Sequence, residues 1–290
     1  MKKVILDCDM TMGVDGCDVD DGLAMLYLLG SPEVELLGLT ATYGNNKLDV
    51  VVDTMKTVLS EIKRPDIVVK KGGAKAGDYT SEASDFLAEM ANQYPGELSI
   101  LATGSLTNLR GAYEKDNTFF DKVKEIVLMG GITEPLVFEK KVMNELNFSC
   151  DPLATYTVLT KGKNVTTMTG NNCLKVLFTR KEYQRFFRSG NPAAEYIRWK
   201  TDYWFDNNDE DYGIKGFYNW DVTSAVYLVH PELFSDHKEL LLTSVEDLKT
   251  GYLRRAEEQM ESNCICNLPE IEKEQEFRET IYNTWMKVSM

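Results

Sequence analysis

The chain opens with Val4-Ile5-Leu6-Asp7-Cys8-Asp9, runs through Met10-Thr11-Met12-Gly13-Val14-Asp15-Gly16-Cys17-Asp18-Val19, and continues as Asp20-Asp21-Gly22-Leu23-Ala24-Met25-Leu26-Tyr27-Leu28-Leu29. An aliphatic run, a polar loop and then a longer apolar run read as a strand that feeds a helix. Six aspartates stand between positions 7 and 21. Carboxylates that close repel one another unless a cation neutralises them. Capping the helix that begins near Gly22 accounts for one or two of them. The rest point to oxygen-rich ligation of a hard cation such as Ca2+ or Mg2+.

The same alternation continues downstream. Strand patterns at 34–42, 67–69, 98–102, 125–129 and 164–168 alternate with helical patterns at 47–62, 81–94, 106–114 and 152–159. Such βαβ repetition predicts an α/β fold with a mostly parallel central sheet flanked by helices, and it places ligands at the carboxyl ends of the strands. No repeat or linker marks a second domain, so residues 1–290 are expected to form one. The stretch 199–212, crowded with aromatics and Asp/Asn, reads as a solvated loop or a lid over a site.

The 290 residues are 43% hydrophobic and 27% charged, ordinary values for a chain that buries a core. Lys plus Arg against Asp plus Glu gives 32 − 46 = −14. That field disfavours nucleic-acid phosphates and anionic lipid, so neither a nucleic-acid nor a membrane partner is expected. Met1-Lys2-Lys3 meets Asp7 before any apolar leader develops, which predicts a cytoplasmic protein. Six scattered cysteines and two histidines suggest reduced thiols and no zinc site.

Val4 to Thr11 resembles the D-x-D-x-T opening of haloacid-dehalogenase-like phosphatases, with Asp7 as nucleophile. Asp7-Cys8-Asp9 with Asp20-Asp21-Gly22-Leu23-Ala24 equally resembles the D-x-D-P-G-x-D-D-A opening of the inosine-uridine nucleoside hydrolases, with about six residues inserted. The opening alone leaves both. Later segments favour the hydrolases: Tyr43-Gly44-Asn45, Leu101-Ala-Thr-Gly-Ser-Leu-Thr-Asn108, Glu125-Ile-Val-Leu-Met-Gly-Gly131, Glu145-Leu-Asn147 before Asp151-Pro152, and Asp221 ahead of Ala225-Val-Tyr-Leu228 and Pro231-Glu-Leu-Phe234. All are similar to that family's segments and occur in its order.

The resemblance implies a Rossmann-like nucleoside hydrolase fold and Ca2+-dependent cleavage of the N-glycosidic bond of ribonucleosides. It implies that Asp9, Asp21 and Asp221 ligate Ca2+ through carboxylates and Thr103 through its carbonyl, with Asp9 also the general base. It places Asp20 and Asn45 on the ribose hydroxyls, and Glu145 and Asn147 at its 5′ end. Similar enzymes are homodimers or homotetramers. Asp15 with Asp20 offers an alternative ligand pair at the family's shorter interval, but Asp9 sits at the strand end, where the sheet fixes it; Asp15 and Asp18 stay unassigned.

Trp220 departs from the pattern, because many members carry His before the last Asp as acid for the leaving base. A purine-preferring branch has Trp there. Purine nucleosides are therefore expected, with Trp220 stacking on the base and a second stacking partner from Tyr79 or from Tyr203–Phe205. Besides the Mg2+-dependent phosphatase, a non-catalytic Ca2+- and ribose-binding pseudo-enzyme is the alternative that the missing His suggests.

Overall fold

The computed structural model describes residues 1–257 and 259–290. Its strands are β1 Lys2–Cys8, β2 Val34–Ala41, β3 Val69–Lys71, β4 Leu98–Ala102, β5 Glu125–Met129, β6 Leu136–Val137, β7 Val142–Met143, β8 Val165–Met168, β9 Phe234–Ser235, β10 Lys238–Leu241, β11 Cys264–Asn267 and β12 Glu270–Ile271. Its helices are α1 Asp20–Gly30, α2 Leu48–Glu61, α3 Glu82–Gln93, α4 Thr107–Lys115, α5 Phe119–Lys122, α6 Asn147–Cys150, α7 Pro152–Lys161, α8 Gly170–Cys173, α9 Arg180–Phe187, α10 Pro192–Tyr212, α11 Trp220–Val229, α12 Val245–Leu248 and α13 Glu274–Trp285.

The central sheet runs β10-β11-β8-β5-β4-β1-β2-β3, parallel throughout except for the edge pair β10–β11. The expected α/β architecture is present. Side chains alternate along β1, so Val4, Leu6 and Cys8 pack among α1, α2, α10, α11 and α13. Ile5 faces the other way, onto α3, α4, α5 and α7. Both faces are covered, which is why the central strands read as nearly continuous apolar runs. No helix among the described residues is long and apolar enough to cross a membrane.

Two expectations need correction. The strand at 67–69 begins instead at Val69, because β3 is an edge strand whose pairing is set by Leu39–Ala41 of β2; Ile67 is buried in the turn before it. Residues 199–212 are not a loop but the end of α10, and of the two readings the cover over a site is the one that agrees with their place. Asn191 caps that helix by accepting the N–H groups of Ala193 and Ala194, Pro192 opens it, and Gly213 ends it at φ 78°. Ala193, Ile197, Thr201, Phe205 and Asn208 form its buried stripe, a helical period masked by the acidic and aromatic residues between them.

Residues 235–290 extend the sheet by β10 and β11 and lay α13 along α1. The Trp285 indole donates to the Leu23 carbonyl at 3.0 Å, and Gly30 lets the Thr284 backbone approach, since a Cβ there would meet its oxygen at 2.1 Å.

Candidate active site

Every carboxylate of the acidic opening that faces the interior lies at the carboxyl end of the sheet or at a helix N-terminus aimed at it. Asp9 follows β1 directly and is fully buried. Its Oδ2 accepts the backbone N–H of Asn45. Gly44 and Gly104 close around it, and a Cβ would stand 2.0 Å from Oδ2 at the first and 3.1 Å from Oδ1 at the second. The Tyr43-Gly44-Asn45 and Thr103-Gly104-Ser105 turns thus form a cradle that larger residues would fill.

Asp20 and Asp21 occupy the first turn of α1, and Asp221 the first turn of α11. Asp20 Oδ2 accepts the Asp221 N–H at 3.0 Å, joining residues 201 positions apart. The Thr103 hydroxyl donates to Asp21 Oδ1 at 2.7 Å, and the Asn45 amide lies 3.4 Å from Asp9 Oδ1 and 3.5 Å from Asp21 Oδ2. Ligand atoms of Asp20, Asp21 and Asp221 fall within 4.8 Å of one another. Asp9 stands beside Asp21, linked through Asn45.

Two helix N-termini soften this repulsion without cancelling it. Burial pushes the Asp21 and Asp221 carboxyls well above the usual range, and the charges of their neighbours add to the effect. Burial also raises Asp9 and Asp20; the Asn45 amide partly offsets it at Asp9, and hydrogen bonds from Asp18 and the Asp221 amide do so at Asp20. Among the described residues no Lys or Arg forms an ion pair with any of the four. Hard oxygen donors, buried and lacking a basic partner, fit a divalent cation.

A cavity of about 280 Å3 opens above the cluster. Asp18, Asp20, Asn45, Thr103 and Asp221 form one end of it; Met129, Glu145, Asn147 and Trp220 also line it. Trp220 is 9% exposed, with its ring centroid 5.1 Å from that of Tyr218. The Asn147 amide donates to the Met129 carbonyl at 3.1 Å and contacts its sulfur at 3.3 Å. Glu145 is held by backbone: Oε1 accepts from Phe148 at 2.7 Å and Gly131 at 3.1 Å, and Oε2 from Ser149 at 2.9 Å.

Other candidates part company. Asp7 lies a layer below the cavity, fully buried, its Oδ2 accepting from Thr40 at 2.6 Å and Asn108 at 2.8 Å. Burial lifts it to about 7; like Asp9 and Asp21 it is absent from the cavity wall, but unlike them it stands apart from the carboxylate cluster, held by Thr40 and Asn108. Asp15 is exposed, whereas Asp18 lines the cavity and holds the Val19 amide at 2.6 Å. The Tyr79 hydroxyl donates to Asp151 at 3.3 Å and its ring packs on the Arg110 guanidinium, so it is absent from the cavity wall. Of Tyr203–Phe205, Trp204 lines the cavity, Phe205 enters the core, and the Tyr203 hydroxyl donates to the carbonyls of Val14 at 3.0 Å and Cys17 at 2.9 Å. That last contact ties the inserted loop to α10. Leu136 and Met143 also line the cavity, and no sequence motif marks them; Asn208 and Tyr212, from the 199–212 stretch, do so as well. Period-3.6 spacing in 193–208 is the sequence signal for Asn208.

A family profile described as inosine-uridine preferring nucleoside hydrolase matches residues 4–276. The chain is similar to a probable uridine nucleosidase 1 of Oryza sativa subsp. japonica, 27% identical over 278 residues that cover 86% of this chain and 83% of that protein. It is likewise similar to the pyrimidine-specific ribonucleoside hydrolase RihB of Escherichia coli O9:H4 (strain HS), 25% identical over 257 residues, 80% of this chain and 79% of that one. Among solved structures, a purine-preferring ribonucleoside hydrolase from Gardnerella vaginalis shares the fold at a TM-score of 0.86 and 24% identity, covering 99% of both chains. A plant nucleoside hydrolase does so at 0.84 and 23%, covering 98% of this chain and 99% of that one.

Proposed function

The chain belongs to the inosine-uridine preferring nucleoside hydrolase family, and on that premise we propose that its acidic cavity carries out calcium-dependent hydrolysis of purine ribonucleosides, releasing base and ribose. The observation that carries this is the convergence of Asp20, Asp21 and Asp221 within 4.8 Å, beside Asp9 and beneath the Trp220 wall.

Asp9, Asp21 and Asp221, with the Thr103 carbonyl, would hold Ca2+, whose loose demand for about 6 to 8 oxygens suits a site made of loop and helix ends. When bound, the ion supplies charge that orients a ribose diol and acidifies water. Asp9, fixed by the Asn45 amide and the two-glycine cradle, takes the proton from the attacking water. Asp20 and Asn45 hold ribose hydroxyls. The surrounding carboxylates stabilise the positive charge that grows on the ribosyl ring as the bond to the base lengthens. Asn147 borders the 5′ end, and Glu145 shapes that end through the three amides it holds.

Trp220 provides a stacking face and no proton near neutral pH. A purine carries a basic ring nitrogen away from the breaking bond, which solvent can protonate, whereas uracil offers only weakly basic carbonyl oxygens. That difference favours purines. The names of the uridine and pyrimidine-specific relatives favour a second reading, a pyrimidine nucleoside. The same proposal takes residues 1–290 as one cytoplasmic domain acting as a homodimer or homotetramer; the central sheet that spans residues 2–267 supports its one-domain part.

Incubation with inosine, adenosine, guanosine or uridine and Ca2+, followed by assay of released ribose, tests the proposal. Ribose is expected from all the purine nucleosides and more slowly from uridine. The reverse order establishes the second reading, and no ribose from any leaves a non-catalytic binder.

A further inference from the structure

The segment between β10 and β11 reaches back to the cavity through a single turn. Ser244 caps α12 by accepting the Asp247 N–H at 3.1 Å, and Arg254 closes the far side with hydrogen bonds to the Asp247 carboxylate at 2.7 and 3.1 Å. Gly251 sits between them at φ 68°, a left-handed conformation that suits glycine. Its N–H donates to the Leu248 carbonyl at 3.0 Å and its carbonyl accepts the Ile132 N–H at 2.9 Å, while the Leu253 N–H donates to the Ile132 carbonyl at 2.8 Å. The turn is thereby stitched to the loop that follows β5.

Gly251 packs directly on Glu145. A Cβ at Gly251 would meet Oε2, Cδ and Cγ of that side chain at 2.1, 2.4 and 2.5 Å. Phe148 and Gly131 donate to Oε1, and Ser149 donates to Oε2. A carboxylate offers about four lone-pair sites, so one acceptor site stays open, on the oxygen that Gly251 abuts. Glu145 lines the cavity and Gly251 does not. Any side chain in place of this glycine would displace the group assigned above to the 5′ end of the ribose.

Resting on the nucleoside hydrolase reading, we propose that Gly251 is a positioning residue for the sugar: the 244–254 turn holds Glu145 where its open acceptor site takes the 5′-hydroxyl. The three amides fix the orientation of the carboxylate, and the glycine backbone fixes how far it can withdraw. Gly251 touches no substrate and acts through Glu145.

The test compares kcat/KM for adenosine against 5′-deoxyadenosine, and for uridine against 5′-deoxyuridine, in wild type, Gly251→Ala and Arg254→Ala with Ca2+ present. Wild type is expected to favour the parent nucleoside by about tenfold or more, the scale of a hydrogen bond to a charged group. Gly251→Ala should cut that preference about tenfold, with the loss falling on the parent and the 5′-deoxy compound staying within about twofold. Arg254→Ala adds no atom near Glu145; by freeing Asp247 it should cut the same preference by about two- to threefold. Equal losses for parent and 5′-deoxy compound in Gly251→Ala, or no loss, overturn the inference and leave the hydrolase reading standing. A wild type that hydrolyses both equally does the same, and no turnover of any nucleoside sinks both. If Gly251→Ala does not fold, the ratio in Arg254→Ala decides.

Discussion

The floor and the roof of the cavity are built by different rules. At the floor, Asp20, Thr103 and Asp221 line the cavity and Asp9 and Asp21 lie behind them, all 3% exposed or less and anchored at strand ends or in first helical turns. The roof is made of Trp204, Asn208 and Tyr212 from α10, Leu136 and Met143 from the β6–β7 ribbon, and Gly16 to Asp18 from the inserted loop. Roof contacts are sparser: the Tyr203 hydroxyl on two loop carbonyls, Lys140 Nζ on the carbonyls of Asp209 at 2.6 Å and Glu210 at 3.0 Å, and Phe138 edge-on to Tyr212. Charge requiring exact placement sits where the sheet supplies rigidity, while the roof is assembled from peripheral elements.

The largest effect expected is at the floor. Asp9→Asn should lower kcat by about 10²- to 10⁴-fold, the usual worth of a positioned base, with little change in KM; steady-state kinetics on the best nucleoside measure it. If KM alone rose, Asp9 would belong with the binding residues.

The floor also makes a pH prediction. Burial raises the carboxyls of Asp9, Asp20, Asp21 and Asp221, and of Asp7 beneath them, Asp9 from 3.8 to about 6 and Asp7 to about 7. Raised carboxyls mean that the folded state binds more protons than the unfolded one between those values, so stability without metal falls as pH rises through that window. The chelated protein should melt higher near about pH 5.5 than near about pH 8 in calorimetry. Calcium at about 100 times its Kd should restore about 2.7 kcal/mol at the higher pH. A melting temperature indifferent to both would mean that the cluster is not a cation site.

At the boundary between the regions, Trp220→Ala should cut kcat/KM for purine nucleosides by about 10- to 100-fold, the scale of lost base stacking. Calcium affinity, read by titration calorimetry, should stay within about twofold because the Asp221 backbone is retained. Loss of both together would make Trp220 a floor residue. The smallest effect belongs to the roof. Tyr203→Phe removes the one hydroxyl proton shared between two carbonyls of the inserted loop and should cost about 1 kcal/mol in stability and a few-fold in KM, with kcat unchanged.

Legibility follows the same division. The carboxylate-bearing strand–loop–helix was readable because it is local: apolar periodicity marks the elements, and aspartates that crowd together advertise a cation. Asp18 and Asp15 looked alike in sequence, yet one lines the cavity and the other is solvated, since their directions depend on how the loop folds against Tyr203 of α10. Residues 199–212 hid a helix because their buried stripe is small and polar in part, with Thr201 and Asn208 among its members. Tyr79 was plausible as a stacking residue until Asp151 and Arg110 were seen to hold it.

By itself, the amino-acid sequence determined the order of strands and helices, the α/β class and the chemistry of the donors, all properties of short segments and side-chain types. Tertiary structure alone decided that Asp20 meets the amide of a residue 201 positions later, that Glu145 accepts from three backbone amides, and that Leu136 and Met143 of a two-stranded ribbon line the cavity. Those outcomes depend on packing between distant segments, where position in space, unlike periodicity along the chain, is fixed only when the whole core closes.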